Sequence, residues 1–338
     1  MVKDHFVVIG NGPAGNQAAL TLSQNAPQAR VTLVSRERAL FYKPYLLPDF
    51  IAGKIVEKEV YGAQPSQWDK QNIKLRSGQE VVGINTEKKE ITLDHKEILS
   101  FSGLIIAVGS RPYIPEYLYA FKRFLRTLKS VVDARTWKSE LKGVDSVLMI
   151  GGDLTSFSMT KALLHLHKKV YFMLNEEAFW PLRFNQEMGE EATQKLKQKG
   201  VEVLENKKIQ KISCLSDNNY EFHWDNKKIK VGYIGAFFGL VPDIRFLVKG
   251  NLQIDRGILV DEYLNTGIEG VYATGDCAQI YHPEIRDYWI SIGHENAMEL
   301  GKIAALNLLG GRIKKKISKE SIFKLGGINV NTSWWKEF

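Results

Sequence analysis

The chain has 338 residues, 44% hydrophobic and 25% charged, with a formal net charge of +8. That size suggests two or three domains with ordinary globular cores, and no apolar run reaches the length of a membrane span. Only two cysteines occur, Cys214 and Cys277, far apart, which excludes a local redox-active disulfide and points to a reducing compartment, most simply the cytoplasm.

Residues 1–5 lead straight into the apolar run Phe6-Val7-Val8-Ile9, which argues against a signal peptide. Gly10-Asn11-Gly12-Pro13-Ala14-Gly15 follows. A buried strand ending at Ile9 and a helix beginning near Pro13 make this a dinucleotide turn. Gly10 permits the tight bend, Gly12 leaves room for a pyrophosphate, and Gly15 lets the helix pack on the strand. The helix N-terminus then offers free N–H groups and a positive dipole end. Next comes the strand Val31-Thr32-Leu33-Val34, followed by Ser35-Arg36-Glu37. An acidic residue for the ribose is expected about 20 residues after the glycines. Glu37 is the candidate, Ser35 and Arg36 are alternatives, and a solvated loop charge is the plain competing reading.

Short alternating runs within residues 70–99 suggest an antiparallel meander. Residues 104–112 read as a buried strand, then a glycine and a proline, and so do residues 234–242. Between them lies an internal repeat. Residues 146–163 reproduce the strand–turn–helix of residues 6–22, with Gly151 in the place of Gly10. The chain therefore carries two dinucleotide-type folds, the second inserted into the first. An amphipathic helix is expected over 188–199, closed by Gly200, and a last helix over 295–309, stopped by Gly310-Gly311. Before that helix, residues 266–276 end in Thr274-Gly275-Asp276, an acidic residue returning late to the first fold.

With these segments in hand, the chain resembles the pyridine nucleotide-disulfide oxidoreductase superfamily over residues 6–329. Within it the likeness is to the disulfide-free branch of rubredoxin reductases, ferredoxin reductases and the flavoprotein part of nitrite reductase. The resemblance implies an α/β fold of two Rossmann-like, three-layer domains. FAD would occupy residues 1–112 and 245–312, an NAD(P)-binding-like domain residues 113–244, and a short, truncated C-terminal interface segment residues 313–338. Gly10, Gly12 and Gly15, with Pro13 and Ala14 between them, match the FAD pyrophosphate turn. Lys43 and Pro44 resemble the stretch beside the flavin ring, with Pro48 close by. Val81 matches a position whose backbone contacts adenine. Ala107, Gly109, Ser110 and Arg111 match the turn packed against the cofactor. Gly275 and Asp276 match the carboxylate that accepts a hydrogen bond from the ribityl chain, and Trp289 lies where the family closes over the ring.

Departures from the family are informative. No cysteine lies in residues 44–49, where the single-cysteine peroxidase and coenzyme A-disulfide branch keeps one, and Pro48 offers neither charge nor N–H to the ring. The second turn has Gly151, Gly152, Asp153 and Ser156, with Ser158 where a glutamate usually sits. Asp153 brings a negative charge to the place of a diphosphate, a repulsion on the order of several kcal/mol in a partly desolvated site. Leu174 stands where an acid usually grips the NAD ribose, with Glu176 as a substitute.

The resemblance implies a flavin-dependent oxidoreductase that passes electrons between NAD(P)H and a small redox protein through flavin N5. The alternative is an FAD-binding electron-transfer subunit of a larger complex, with damaged or absent NAD(P)H binding. The basic charge favours an acidic ferredoxin- or rubredoxin-like carrier. Homo- or hetero-oligomers fit either reading, whereas no nucleic-acid motif appears. No metal is expected: His165 and His167, two apart on a helix, face different directions. Trp334 and Trp335 near the end raise a peripheral membrane or partner contact.

Overall fold

The computed structural model describes residues 4–62, 72–174, 186–204, 209–216, 219–247, 251–317, 322–325 and 328–331. Glu176, Trp334 and Trp335 lie outside them. The chain begins with β1 (His5–Ile9), α1 (Pro13–Asn25) and β2 (Arg30–Ser35), then two short helices, α2 (Leu47–Ile51) and α3 (Glu57–Val60). There follow β3 (Ile73–Ser77), β4 (Val81–Asn85), β5 (Glu90–Leu93), β6 (Ile98–Ser100), β7 (Gly103–Ile106) and β8 (Ser110–Pro112). The middle carries α4 (Val131–Glu140), β9 (Ser146–Gly151), α5 (Leu154–His165), β10 (Lys169–Leu174), α6 (Gln186–Gln198) and β11 (Glu202–Leu204). Three strands, β12 (Lys211–Ser216), β13 (Asn219–Trp224) and β14 (Lys227–Val231), precede β15 (Tyr233–Phe237) and β16 (Leu240–Pro242). The last stretch holds β17 (Ile258–Val260), β18 (Val271–Ala273), β19 (Ala278–His282), β20 (Asp287–Ser291), α7 (His294–Leu308), β21 (Ile322–Leu325) and β22 (Ile328–Asn331).

These elements form two compact units, Met1–Lys43 with Tyr61–Arg111 and Val241–Phe338, and Pro44–Val60 with Pro112–Leu240. The first is built on a parallel sheet in the order β18-β7-β1-β2-β3. Every residue of β1 is buried and so is every residue of β7. A parallel strand covered on both faces needs such an unbroken apolar run rather than an alternating one. A second sheet of this unit, β17-β19-β20-β22-β21, includes the C-terminal hairpin of β21 and β22. The second unit repeats the plan with parallel β11-β10-β9-β15 and adds the antiparallel β12-β13-β14. Pro44–Val60 groups with this unit, where α2 packs on α4 and α5.

Ile73–Ser77 corrects one expectation. It is the parallel edge strand of the main sheet, paired Val31 to Ile73 through Ser35 to Ser77, and the antiparallel meander is β4-β5-β6 alone. An edge strand is half-covered, so its sequence alternates as a meander strand does.

In the first unit α1 packs against α7 at a glycine. A Cβ on Gly301 would lie 2.1 Å from the Ala14 carbonyl oxygen and 2.8 Å from its carbon. Alanine in a helix interior gains about 1 kcal/mol over glycine. Here the obstacle is backbone, which cannot swing aside, and overpacking of this kind costs about 1–3 kcal/mol or more. Sterics therefore win, and Gly301→Ala is expected to lower the midpoint of thermal unfolding by about 2–6 °C. An unchanged or raised midpoint in a calorimetric scan would contradict this packing.

Candidate functional site

Strand β1 delivers its chain to a turn that presses on the end of β7. Gly10 has φ of +106°, its N–H donates to the Val34 carbonyl at 2.8 Å, and a Cβ there would lie 2.2 Å from the Ala107 oxygen. No other residue fits that combination of left-handed backbone and close approach. Gly15 is equally confined, its Cβ position 1.8 Å from the Gly10 oxygen. Gly12 differs. It is the residue before the first turn of α1, it has extended backbone, and nothing lies within 4 Å of its Cβ position. Neither a capping side chain nor an acid serves the first turn of α1, and Pro13 occupies a position whose N–H would have no helical partner in any case. No side-chain cap therefore answers the first N–H groups of α1.

The late acidic segment arrives at this turn. Strand β18 ends at Ala273, the Thr274 N–H donates to the Ile106 carbonyl at 2.9 Å, and Gly275 turns with φ of +72°. A Cβ on Gly275 would sit 2.9 Å from the Ala14 Cβ, so residues 14 and 275 touch. Asp276 follows at once, and the Ser110 hydroxyl donates to its Oδ2 at 2.7 Å. Thus Gly10, Gly12, Pro13, Ala14, Gly15, Ala107, Gly109, Ser110, Gly275 and Asp276 form one neighbourhood. Two buried polar atoms there, Asn11 Nδ2 and Thr274 Oγ1, have no hydrogen-bond partner among the described residues. Asn11 and Thr274 were not foreseen, because a polar residue in a glycine turn carries no motif of its own.

The end of β2 forms a second group. Glu37 is partly buried and accepts a hydrogen bond from the Tyr42 hydroxyl at 2.8 Å, and the Ser35 carbonyl accepts from Gln79 N–H at 3.0 Å. Gln79 Oε1 is buried without a partner among the described residues, and Val81 beside it is a buried start of β4. Arg36 is instead tied to Asp243, its guanidinium 2.6 Å from the carboxylate. Asp243 is 5% exposed at its side chain and also faces Arg245 at 3.1 Å and Arg111 at 3.8 Å. Burial pushes the Asp243 carboxyl up, but the Arg36 and Arg245 guanidinium groups outweigh it and hold it below the usual carboxylate range. Asp243 was missed in the sequence because it lies far from the motif that it braces.

Lys43, Pro44, Pro48 and Trp289 are the remaining candidates. Pro44 opens a short 3-10 turn and Pro48 the first turn of α2, both in the second unit. Lys43 belongs to the first, and its charge reaches His294. Burial and, secondarily, Lys43 lower the His294 pKa, while the ring stacks on Phe41 at 6.3 Å between centroids. Trp289 is 1% exposed, in a central strand between Ile280 and Asn329, and packs in the main core. Cys277 is fully buried, and burial raises its thiol to about 11. Among the described residues no cluster of His, Cys, Asp or Glu could hold a metal, and no helix is long and apolar enough to cross a membrane.

The second unit has the same turn with a different occupant. Gly151 has φ of +115°, and a Cβ there would lie 1.9 Å from the Phe237 oxygen, the counterpart of Gly10 against Ala107. Gly152 is extended, with φ of +159°. Asp153 stands where Gly12 stands in the first unit. Its Oδ1 accepts from Ser156 N–H at 2.9 Å, its Oδ2 from Gly239 N–H at 3.0 Å, and Thr155 N–H also serves it. The expected repulsive charge is therefore a bonded one. Burial raises the carboxyl to about 6 even against those three donors. Ser156 is fully buried and fits beneath the turn.

Residues 4–303 match the family model described as "Pyridine nucleotide-disulphide oxidoreductase". The chain is 25% identical over 280 residues to the assimilatory nitrate reductase electron transfer subunit of Bacillus subtilis (strain 168), covering 82% of this chain and 36% of that protein. It is 25% identical over 326 residues to putidaredoxin reductase CamA of Pseudomonas putida, covering 90% and 74%. Against NADH-rubredoxin oxidoreductase of Clostridium acetobutylicum it is 24% identical over 334 residues, covering 98% and 81%. The chain thus spans little more than a third of the nitrate reductase subunit. Its fold matches the reductase of a covalent putidaredoxin reductase–putidaredoxin complex with a TM-score of 0.83 at 21% identity, covering 93% of this chain and 77% of that one.

Two outcomes check this site. In the native protein, iodoacetamide at pH 8 should alkylate the exposed Cys214 and leave Cys277 untouched, with both labelled after denaturation; native labelling of Cys277 in a peptide map would contradict its burial. Asp243→Asn should cost about 1–3 kcal/mol at pH 7, since two of the three guanidinium groups it faces are largely exposed. A lowered folded pKa gives stability that is present above the unfolded value near 3.8 and is lost as pH falls through the folded one. The gap between wild type and variant in urea melts should therefore close toward pH 3.

Proposed function

Because the chain belongs to the pyridine nucleotide-disulphide oxidoreductase family, we propose that it is an FAD-dependent oxidoreductase passing electrons between a nicotinamide nucleotide and a small redox protein, without a redox-active disulfide. The observation that carries the reading is the uncapped first turn of α1, open at Gly12, with Asp276 fixed beside it by Ser110. Those residues fit FAD. An anionic diphosphate would meet unpaired N–H groups and a helix dipole. Asp276, oriented by the Ser110 hydroxyl, would accept from the ribityl chain. Glu37, held by Tyr42, would serve the adenosine ribose, with Ser35 and the backbone of Val81 near the adenine. Asn11 Nδ2 and Gln79 Oε1 are spare polar atoms for such a ligand. FAD, when bound, supplies hydride and electron transfer, which the side chains here do not. The chain's own part is to bind, orient and exclude water.

Relatives named for putidaredoxin and rubredoxin, together with a net charge of +8, support an acidic electron-carrier partner. Two free cysteines suit a cytoplasmic setting. One observation favours a second reading, in which the chain is an FAD-carrying subunit reduced by another protein: the phosphate place of the second unit holds Asp153.

Gly12→Asp tests the FAD assignment, since it copies the Asp153 arrangement into the first unit where a Cβ meets no obstacle. The variant should fold, as judged by circular dichroism. It should bind FAD at least about a hundredfold more weakly, roughly 2.7 kcal/mol, in a fluorescence titration of apoprotein. Equal FAD affinity in the folded variant would remove α1 as the phosphate site.

A further inference from the structure

The inserted unit keeps every backbone feature of a dinucleotide turn. Gly151 has the left-handed backbone and close approach of Gly10, β9 and α5 repeat β1 and α1, and Ser156 is small enough to lie buried beneath the turn. What differs is the state of the donors. In α1 no side chain answers them. In α5 one carboxylate answers the N–H groups of Ser156 and Thr155 from the helix and of Gly239 from the turn after β15. This is the donor set that a dinucleotide phosphate would draw on, collected on two oxygens of the protein's own chain.

We infer that Asp153 is a resident substitute for the dinucleotide phosphate, closing the inserted unit to NAD(P)H at the usual place and leaving that unit as scaffold. Two effects add. The donors are already satisfied, so an incoming phosphate would have to displace the side chain and orphan or reorient it. The carboxylate also opposes a second anion at close range in a partly desolvated turn. Charge alone would discourage a ligand; occupation of the N–H groups removes what the ligand is bound by. The inference rests on, and sharpens, the second reading above: reducing equivalents reach the FAD site from a donor other than NAD(P)H in the inserted unit.

Three forms of the full chain separate the two effects: wild type, Asp153→Asn and Asp153→Gly. Asparagine removes the charge and keeps one acceptor, so its Oδ1 still caps Ser156 N–H while its Nδ2 cannot accept from Gly239 N–H. Glycine removes both and restores the residue found at position 12. Each is loaded with FAD, checked by its visible absorption, and titrated with NADH by calorimetry. Expected results are no saturable binding for wild type up to about 1 mM, none for Asp153→Asn, and saturable binding for Asp153→Gly that is at least tenfold tighter than the wild-type limit. Binding by the wild type overturns the inference. So does binding by Asp153→Asn as tight as by Asp153→Gly, which would make repulsion the whole cause, and so does absence of binding in all three, which would put the cause elsewhere. A failure of the FAD reading shows separately, as a colourless protein that takes up no added FAD.

Discussion

The N–H groups at the start of a helix are the constraint on which this molecule turns. A helix leaves its first donors without internal partners, and each must be answered by a side chain, water or a ligand. The same strand–glycine–helix opening occurs twice in this chain and is answered in opposite ways. After β1 the glycine at position 12 leaves the donors open; after β9 an aspartate at the matching position 153 takes them. The two turns thus differ in whether the chain itself already satisfies the donors.

Around the open turn, small residues set the spacing. Gly10 lies against Ala107, Gly15 against Gly10, Gly275 against Ala14, and Gly301 against the Ala14 backbone. Each contact removes a Cβ so that β7, α1, α7 and the turn after β18 can approach. Ala14, Ala107 and Ala297 fill what remains as a small apolar cluster. This packing is what carries Gly275, with Asp276 directly after it and more than two hundred residues later in sequence, against Ala14 in the first turn of α1. The Ser110 hydroxyl then donates to the Asp276 carboxylate. Placement by rigid elements rather than by flexible loops suits a site whose task is to orient a bound group.

Much of this was legible in the chain itself. The two glycine turns, the repeat and the late Gly275-Asp276 segment carry backbone requirements that glycine alone meets, so the residues announce the geometry. What stayed hidden was of two kinds. Ile73–Ser77 is an edge strand, and half-covered strands read alike whether parallel or antiparallel. Asp243 gathers Arg36, Arg111 and Arg245 from separate stretches, and a contact between distant charges leaves no spacing to detect. Asp153 was visible as a charge out of place, while its hydrogen bonds were not.

Those bonds also bear on why an acid is there. As a cap for Ser156 N–H alone, asparagine would serve as well as aspartate without an ionisation cost, but its Nδ2 could not accept the Gly239 N–H that Oδ2 takes. Aspartate in this setting does carry that cost: its pKa is raised from 3.8 to about 6, which disfavours the charged form by about 3 kcal/mol near neutral pH. A group whose folded pKa is raised contributes stability only below its unfolded value and loses it as pH rises through the folded one. At neutral pH that ionisation cost stands against the second acceptor that only the acid supplies. The acid is accounted for by two oxygens that answer donors from two places, the start of α5 and the turn after β15.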